Sequence, residues 1–530
     1  MLGIAALLAA AALGHALARG LRIPAIPTLI IAGGLLAATG ATTPELLENA
    51  VVLGVTFVLF VTGIELNPRR ARAQRRAAVR VGVVQFFALA AAGFLLALLL
   101  GFVPNDAAYL ALALTASSTL VVVRLLRGRR QMFEPFGRLV VGVLLIQNLL
   151  VIAFIPVLTR LPGGPADLAT GVLATAGLVA LTAAARRWIA PRILRLDGDE
   201  EPLLIGVLAL LFVFIGAADA LDLPLAAGAF LAGIALSDFP LDGVVRSQIA
   251  SIGDFFAAVF FTALGALVSL PSLAELGQAL AFALLLLLAT PPLVAAIAER
   301  TGLSARPSLE AGLLLAQASE LSLVVVLFGL LEGQVGTTAF TVVATVTVIT
   351  MILTPFITAD HVVWSALRLH PLRVEGPAAP EGGHILVLGA GTTGMPLVET
   401  LLAAGHRVVV VDDDPAVVAA LREADLPCVR GDASDISALR LAGADRARTI
   451  ISTIRRPADN ARLLRFARGV PTFVRVFDDD DARWVRRLGG RPVLYSAAAA
   501  EDILAWFDRR RRPAEPLRDA PPADPTAGTS

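Results

Sequence analysis

The sequence predicts a polytopic α-helical membrane domain followed by a cytoplasmic α/β domain with a Rossmann-like fold. Hydrophobic residues make up 57 % of the 530 residues, the mean hydropathy is +0.78 and 16 % of the residues are charged. Soluble proteins carry about 25 % charged residues, so a single soluble enzyme is excluded. Residues 1–360 hold 21 Arg and 21 acidic residues, whereas the shorter remainder holds 23 Arg and 22 acidic residues. This change of charge density marks the end of the membrane domain.

The composition also excludes other classes of protein. A net charge of +1 argues against a chain that binds nucleic acid through bulk charge. With one cysteine, Cys428, the chain is not a disulfide-stabilised scaffold. All 44 basic residues are Arg, so lysine takes no part in the chemistry. We predict a membrane domain at 1–360, a Pro- and Gly-containing linker at 361–383, an α/β domain at 384–507 and a disordered tail at 508–530.

Thirteen apolar runs are candidates for membrane-spanning helices, which need about 20 residues. They lie at 2–18, 25–40, 46–66, 77–102, 105–126, 136–161, 168–190, 202–218, 224–239, 247–270, 273–298, 307–331 and 335–359. The first run has no A-x-A cleavage site, so we expect it to be retained. Loops after odd-numbered runs hold 20 Arg, and those on the opposite side hold one, Arg160. Because positive loops stay in the cytoplasm, the N-terminus is expected outside and the α/β domain inside.

Ionisable residues at the centre of a span cost about 2.5–3.5 kcal/mol on insertion scales and usually have a function. Most acids here lie at the ends of spans, Asp254 among them, and are expected to be interfacial. Glu320 differs, because it falls at the midpoint of the twelfth run beside Gln317 and Ser319. The alternative is a structural Glu320, neutral and hydrogen-bonded between helices.

Two further polar clusters lie at comparable depth, in the fifth and sixth runs. Hydroxyl groups in the fifth run can satisfy backbone groups of a locally unwound helix. Taken singly, such groups often only join helices, but three clusters at one depth offer the several oxygens that a cation needs in place of its water. The candidate ion-binding residues are Thr115, Ser117, Ser118, Thr119, Gln147, Asn148, Gln317, Ser319 and Glu320.

The ordered series of motifs resembles the second cation:proton antiporter superfamily, and most closely the Kef-type potassium/proton antiporters. Matching segments span nearly all of residues 1–360 and include "LGVTFVLFVTGIELNPRR", "TASSTLVVV", "FGRLVVGVLLIQN", "LAAGAFLAGIALSD" and "LLLAQASELSLVV". The resemblance implies two inverted five-helix repeats, in which spans 5 and 12 are crossing, interrupted helices. It also implies a homodimer with alternating access in the lipid of a bacterial inner membrane, with an ancillary regulatory subunit as an optional partner.

The candidate transport site departs from that family in two places. Asn148 stands where the family usually has Asp, and span 11 lacks the Lys that related antiporters often carry. An amide oxygen can coordinate a cation, but Asn cannot take up and release a proton near neutral pH. Glu320 matches the Glu of the family's Gly-Glu-Phe motif, although its neighbours are Ser319 and Leu321. Proton coupling is therefore carried by Glu320, carried by another group, or absent.

Strand and helix patterns alternate between residues 384 and 507. A G-x-G-x-x-G sequence follows the strand-like run "HILVLG", and Asp412 closes the next strand, "RVVVVD", 23 residues after Gly389. This context predicts a dinucleotide fingerprint, in which the pyrophosphate approaches a helix N-terminus and Asp412 accepts hydrogen bonds from the ribose. No Arg follows Asp412, which disfavours NADP. The residues concerned are Gly389, Ala390, Gly391, Thr392, Thr393, Gly394, Asp412 and Asp413.

The same segment resembles the TrkA N-terminal type of regulatory domain found with potassium-conducting proteins. The stretch "GDASDISALRLAGADRARTIISTI" carries this resemblance and makes Gly431 and Asp432 expected nucleotide contacts. The implied regulatory ligand is NAD(H) or an adenine nucleotide such as AMP or ATP. His384 and His406 are expected at the surface, and Cys428 is expected to be a small strand residue. With no catalytic acid, base or nucleophile apparent, we expect a ligand sensor rather than an enzyme.

Three functions remain open at this point. The resemblance favours a secondary transporter that exchanges K⁺ or Na⁺ for H⁺ under control of a nucleotide. A ligand-gated K⁺ efflux pathway without proton coupling is the second, and Asn148 favours it. The third is a nucleotide sensor on a membrane domain that no longer transports. Both cations take oxygen ligands and selectivity depends on geometry, so the sequence does not distinguish K⁺ from Na⁺.

Overall fold

The computed structural model describes residues 2–21, 23–65, 75–129, 131–132, 135–160, 164–193, 200–237, 243–367, 374–375, 382–391, 394–454, 456–494, 500 and 504. The chain divides into two compact units, Met1–Leu369 and His370–Ser530. The tail predicted to be disordered, 508–530, lies outside the described residues, as does the Arg-rich loop at 66–74.

The first unit is helical. Its helices are α1 (Leu2–Leu21), α2 (Ala25–Ala37), α3 (Pro44–Glu65), α4 (Arg75–Leu99), α5 (Pro104–Ala113), α6 (Thr119–Gly128), α7 (Pro135–Arg160), α8 (Pro165–Ala184), α9 (Ala190–Ile193), α10 (Glu200–Ala220), α11 (Leu225–Leu236), α12 (Gly243–Leu267), α13 (Leu273–Arg300), α14 (Ala305–Leu315), α15 (Glu320–Leu331), α16 (Thr337–Ile357) and α17 (Asp360–Leu367). A π-helical turn at Ala185–Ile189 joins α8 to α9. Spans 5 and 12 are interrupted, as the resemblance implied.

Ten helices in the described ranges are long and apolar enough to cross a membrane, with the interrupted stretch 305–331 counted as one. The three other predicted spans correspond to the short apolar helices α2 and α11 and to the interrupted pair α5–α6. The polytopic helical fold is therefore confirmed, whereas the number of thirteen crossings stays a prediction.

Two helix crossings are closed by reciprocal glycines. A Cβ on Gly33 of α2 would lie 2.0 Å from the Thr262 carbonyl oxygen of α12, and one on Gly265 of α12 would lie 2.1 Å from the Ile30 carbonyl oxygen of α2. Gly63 and Gly233 relate α3 to α11 in the same way, at 2.4 and 2.2 Å. Small residues let helix backbones approach closely where lipid provides no hydrophobic drive. These four positions tie α2, α3, α11 and α12 into one bundle.

The second unit is an α/β domain. Its elements are β1 (Val374–Glu375), β2 (Ile385–Leu388), α18 (Gly394–Ala403), β3 (Val408–Asp412), α19 (Pro415–Glu423), β4 (Cys428–Gly431), α20 (Ile436–Leu441), β5 (Thr449–Ser452), α21 (Pro457–Phe466), β6 (Thr472–Val476), α22 (Asp479–Arg487) and β7 (Arg491–Leu494). The sheet order is β1-β4-β3-β2-β5-β6-β7, and β2 to β7 are parallel. Without β1 this is the doubly wound dinucleotide-binding order, so the Rossmann-like fold is confirmed.

The sequence analysis missed four elements of this domain, β1, α20, α22 and β7. Strand β7 contains Arg491 and Pro492 and lies at a partly exposed sheet edge, so it lacks the apolar run by which the central strands are recognised. The segment predicted as a linker contains helix α17 and the two-residue strand β1. Cys428 is a buried strand residue, as expected.

The expectation of a surface position for His384 is wrong. Its side chain is fully buried, and its Nε2 atom lies 3.0 Å from the Ala442 carbonyl oxygen. Burial lowers the pKa of this imidazole, and the positive charges of Arg407 and Arg446 also oppose its protonation. His384 is therefore a neutral part of the sheet's packing, which its position before a strand did not reveal.

The orientation of the membrane domain can be tested at two exposed positions. In a Cys428→Ser background we expect Pro271→Cys, between α12 and α13, to react with an impermeant maleimide from outside only. Arg300→Cys, at the other end of α13, should react from the cytoplasmic side only, because the arginine asymmetry places that end inside. Labelling of both positions from the same side would contradict the predicted crossing of α13.

Candidate ion and nucleotide sites

The two interrupted helices face each other at their breaks. The hydroxyl of Ser117, in the break between α5 and α6, donates a hydrogen bond to the Leu315 carbonyl oxygen at 2.7 Å. The hydroxyl of Ser322, in the first turn of α15, donates to the Ala113 carbonyl oxygen. These carbonyls terminate α14 and α5, where the backbone has no partner of its own. Each broken helix therefore satisfies the end of the other.

The following helix in each half supports the break in the same manner. Gln147 of α7 accepts a hydrogen bond from the Ser117 backbone N–H at 3.1 Å through its Oε1 atom. Thr350 of α16 accepts from the Ala318 backbone N–H, also at 3.1 Å. The two contacts occupy corresponding places in two segments of the chain about 200 residues apart. This correspondence supports the internal repeat that the resemblance implied.

Serine residues begin the second half of each broken helix. Ser118 accepts from the Val121 backbone N–H at 3.3 Å, and Ser319 accepts from the Leu321 N–H at 3.1 Å. The Ser319 N–H donates in turn to the hydroxyl of Ser322 at 3.0 Å. Serine is a favoured N-cap because its oxygen replaces the missing backbone acceptor. The break therefore presents two helix N-termini, with their partial positive charge, in the interior of the bundle.

Asn148, Thr119 and Glu320 meet at these N-termini. The Nδ2 atom of Asn148 donates to the Thr119 hydroxyl at 3.0 Å. The Glu320 carboxyl group lies against the Ser118 hydroxyl and the backbone N–H groups of Thr119 and Leu120. Asn148 is fully buried and Glu320 is 1 % exposed. The α6 N-terminus thus brings together candidates from all three polar clusters.

Two buried oxygens at this junction have no hydrogen-bond partner, Asn148 Oδ1 and Glu320 Oε2. An unsatisfied buried polar atom costs about 1–3 kcal/mol, so its presence at a native site needs a reason. A carboxylate and an amide oxygen are hard donors that suit an alkali cation, and a carboxylate can alternatively hold a proton. The Gln147 Nε2 atom is also without a partner, but it is a donor and repels a cation.

The other candidate ion-binding residues support the breaks. Thr115 donates to the Leu112 carbonyl oxygen at 2.6 Å and so closes the end of α5. Gln317 Nε2 donates to the Leu314 carbonyl oxygen at 3.2 Å, and its Oε1 atom accepts from Thr354 at the same distance. Sequence reasoning missed Thr350 and Thr354, which lie on α16. Their only signal was the four-residue spacing of threonines along one face of that helix.

A cavity of about 230 Å³ reaches the first turn of α6. Leu120 and Val121, which directly follow Thr119, form part of its wall, and Arg124, Asp254 and His15 bring charged or titratable groups to it. The side of the unit on which it lies carries the ends of α6 and α16 and the start of α12. By the arginine asymmetry this is the cytoplasmic side. Asp254, expected to be interfacial, is exposed at this cavity.

The glycine turn after β2 has the geometry of a phosphate-binding loop. Gly389 has φ +85°, a conformation that glycine adopts without strain. A Cβ on Gly394 would lie 1.9 Å from the Gly389 carbonyl oxygen, so only glycine fits there. A Cβ on Gly391 would meet nothing within 4 Å, which leaves open space in front of the turn. Thr392 and Thr393 lie outside the described residues.

Asp412 holds this turn in place. Its Oδ2 atom accepts from the Ala390 backbone N–H at 2.6 Å, and its Oδ1 atom accepts from the Asp414 N–H at 2.8 Å. Burial raises the pKa of the carboxyl, and these two donors counteract part of that rise. Each oxygen keeps a second lone pair that a ribose hydroxyl can reach. Asp413 follows at the carboxyl end of β3 and is half-buried.

Gly431 and Asp432 lie at the carboxyl end of the neighbouring strand β4. Asp432 Oδ1 accepts from the Ser434 backbone N–H at 2.8 Å and from the Ser434 hydroxyl at 2.6 Å. Sequence reasoning missed Thr453, whose hydroxyl donates to the Gly389 carbonyl oxygen at 2.8 Å from the end of β5. The carboxyl ends of β2, β3, β4 and β5 therefore share one edge, where ligands bind in doubly wound sheets.

Comparisons with known proteins agree with both folds. Residues 4–364 match the family model described as sodium/hydrogen exchanger, transmembrane, and residues 385–496 match the TrkA-N domain. The glutathione-regulated potassium-efflux system protein KefC of Klebsiella pneumoniae is 28 % identical over 471 residues, which cover 85 % of this chain and 74 % of that protein. The chloroplastic K(+) efflux antiporter 2 of Arabidopsis thaliana is 28 % identical over 474 residues, which cover 83 % of this chain and 40 % of that protein.

A solved structure supports the fold of the membrane unit. The sodium proton antiporter MjNhaP1 of Methanocaldococcus jannaschii has a TM-score of 0.54 at 17 % sequence identity, covering 69 % of this chain and 98 % of that one. At this level of identity the likeness concerns the fold. Since the exchanger family model matches well over half of the chain, the protein belongs to the transmembrane sodium/hydrogen exchanger family, with a TrkA-N domain after the exchanger domain.

Proposed function

We propose that this protein is a secondary transporter that exchanges a monovalent cation for protons and that a nucleotide bound to its TrkA-N domain regulates the exchange. The observation that carries the proposal is the pair of buried, unpartnered oxygens, Asn148 Oδ1 and Glu320 Oε2, at the facing breaks. We favour K⁺ over Na⁺ as the cation because KefC and the chloroplastic relative are named for potassium efflux.

Glu320 is the group proposed to carry the proton. The buried acids of the described membrane helices are Glu310 and Glu320. Glu310 forms an ion pair with Arg306, with 2.9 Å between Oε1 and Nε, whereas Glu320 faces hydroxyl and backbone N–H groups. A carboxylate without a fixed positive partner can bind either a proton or a cation. That competition at one group is sufficient to couple the two flows.

Asn148 is proposed to contribute a neutral oxygen to the cation. Its Nδ2 atom is fixed by the Thr119 hydroxyl, which directs Oδ1 away from that contact and leaves it free to bind. Because the amide does not titrate, each cycle moves the protons that Glu320 alone can carry. The cavity beside Leu120 is the proposed cytoplasmic entrance to this pair.

A second function, K⁺ efflux without proton coupling, is favoured by one observation. The buried position that carries a carboxylate in similar antiporters holds Asn148, so a single titratable group remains at the junction. Flux in proteoliposomes separates the two functions. Proton movement that depends on K⁺ supports exchange, and K⁺ movement without protons supports the second function.

The TrkA-N domain is proposed to bind NAD(H) or an adenine nucleotide. The open space at Gly391, the helix N-terminus at Gly394 and the carboxylate of Asp412 fit a pyrophosphate followed by a ribose. We also propose a homodimer in a bacterial inner membrane, with the N-terminus outside and the TrkA-N domain in the cytoplasm.

Glu320→Gln is expected to abolish K⁺-driven proton movement. Glutamine keeps the size of the side chain but cannot exchange a proton. The measurement is dye-reported pH change in proteoliposomes after addition of K⁺ or Na⁺. Glu332→Gln is the matched control, because Glu332 lies at the exposed end of the same helix and should transport normally. Normal exchange by Glu320→Gln would show that another group carries the proton.

Asn148→Asp is expected to change the proton stoichiometry or the pH dependence of exchange and to leave folding largely intact. The Thr119 hydroxyl can reverse its hydrogen bond and donate to the new carboxylate, so the local geometry survives. The H⁺/K⁺ ratio from reversal potentials measures the effect. Asn105→Asp is the control, since Asn105 bonds to the Gln334 carbonyl oxygen away from the breaks. If both variants behave like wild type, the cluster at Asn148 is structural.

Asp412→Ala is expected to weaken nucleotide binding by about 1–3 kcal/mol, the range for loss of hydrogen bonds to a charged group, or roughly 5- to 150-fold in Kd. The loss has two causes, because Asp412 both holds the glycine turn and faces the ribose. Gly391→Val should also weaken binding by filling the open space. Calorimetry with NAD⁺ and AMP on the full chain in detergent is the measurement, with exposed Asp445→Ala as control. Unchanged affinity in both variants would remove the assignment.

A further inference from the structure

Helix α17, which leaves the membrane unit towards the TrkA-N domain, is anchored to the outer end of α14. Arg306 of α14 is only 4 % exposed, and its guanidinium carbon lies 4.8 Å from the centre of the Trp364 ring of α17. Its Nη2 atom lies 3.9 Å from Asp360 Oδ1, and its Nε atom lies 2.9 Å from Glu310 Oε1. An arginine that is both stacked on an aromatic ring and paired with acids is held in one orientation.

Apolar contacts complete this anchor. Leu309 and Leu313 of α14 and Val363, Trp364 and Leu367 of α17 form a separate buried cluster. The contact therefore runs along two turns of α14, from Arg306 to Leu313. A displacement of α17 along or across α14 would have to break the stacking and the apolar packing together, so the two helices move as one piece.

The inner end of α14 belongs to the candidate ion site. The Leu315 carbonyl oxygen accepts from Ser117, and Gln317 follows in the break that leads to Glu320. Helix α14 has 11 residues and is therefore about 16 Å long. A short helix transmits a push or a tilt from one end to the other. A shift at Arg306 thus changes the position of the carbonyl that the α5–α6 break depends on.

On the other side of the connection, the chain is a strand of the TrkA-N sheet. Val374 and Glu375 of β1 pair antiparallel with Gly431 and Arg430 of β4. Strand β4 ends at Gly431 and Asp432, the expected nucleotide contacts. Six residues, 368–373, join the end of α17 to the start of β1, and at 3.3–3.6 Å per residue such a segment limits the reach between them to about 25 Å.

We infer that Arg306 and Trp364 form the anchor through which nucleotide binding at the carboxyl end of β4 is transmitted to the ion site, so that Arg306 is a positioning residue for exchange. Nucleotide binding alters the end of β4, the paired strand β1 follows, and the short connection passes the shift through α17 to α14. This inference rests on the proposed nucleotide-regulated exchange. A ligand can shift the exchange rate in this way only if it binds the two positions of the strand with different affinity.

The test uses the full chain in proteoliposomes, with K⁺-driven proton movement measured without nucleotide and with saturating NAD⁺ or AMP. The quantity of interest is the ratio of the two rates. In Trp364→Leu, which keeps apolar packing but removes the stacking on Arg306, the ratio should fall towards one. A flexible Gly-Ser-Gly-Ser insertion after residue 370 leaves both ends of the connection intact, and it should lower the ratio in the same way. Calorimetry should show unchanged nucleotide affinity in both variants.

The controls are Trp188→Leu, at an exposed tryptophan of the π-helical turn, and the same insertion after residue 515. Both controls should keep the wild-type ratio. A wild-type ratio in Trp364→Leu and in the connection insertion would overturn the anchor while leaving the proposed function in place. A wild-type protein that exchanges cations but responds to neither nucleotide would overturn the proposed regulation, and the anchor with it. Loss of nucleotide affinity in both variants would also overturn the anchor, because it would place these residues in the binding of the ligand.

Discussion

The membrane unit depends on the requirement that backbone groups at helix ends inside the bilayer find partners without water. Two helices stop in the middle of the unit, at Ala113 and at Leu315, and each leaves carbonyl groups that lipid cannot satisfy. The breaks solve this problem jointly, because Ser117 and Ser322 each donate to the terminal carbonyl of the other helix. Neither break is stable alone, so the two halves of the unit are fixed relative to each other at this point.

That arrangement explains why the polar groups at the breaks divide into two sets. Most of them, such as Thr115 and Gln317, are occupied with the backbone and are unavailable to an ion. Asn148 and Glu320 keep one oxygen each that nothing in the described structure satisfies. The price of leaving these atoms unpaired is of the order of a hydrogen bond each. A transported ion or proton that fills the vacancy recovers that energy in passing, which is how a structural defect becomes a binding site.

The sequence analysis succeeded where local chemistry determines structure and failed where distant contacts do. Apolar length located the spans, and the clusters of hydroxyl residues located both interruptions, because serine caps a helix wherever it lies. The glycine fingerprint predicted the turn after β2 for a similar reason. Thr350, Thr453 and the buried state of His384 depend on residues far away in the chain, Ala318, Gly389 and Ala442. No local pattern identifies such partners.

The two candidate sites share one physical device, a helix N-terminus presented to an oxyanion. In the TrkA-N domain α18 begins at Gly394 behind an open turn, where a pyrophosphate can replace water at the exposed N–H groups. In the membrane unit the N–H groups that open α6 face the Glu320 carboxyl group, so the anion is supplied by the protein itself. A fixed lysine would neutralise Glu320 permanently, whereas the partial charge of a helix end stabilises the carboxylate and still permits a cation or a proton to approach. The absence of lysine from this chain is therefore compatible with exchange at a single carboxylate.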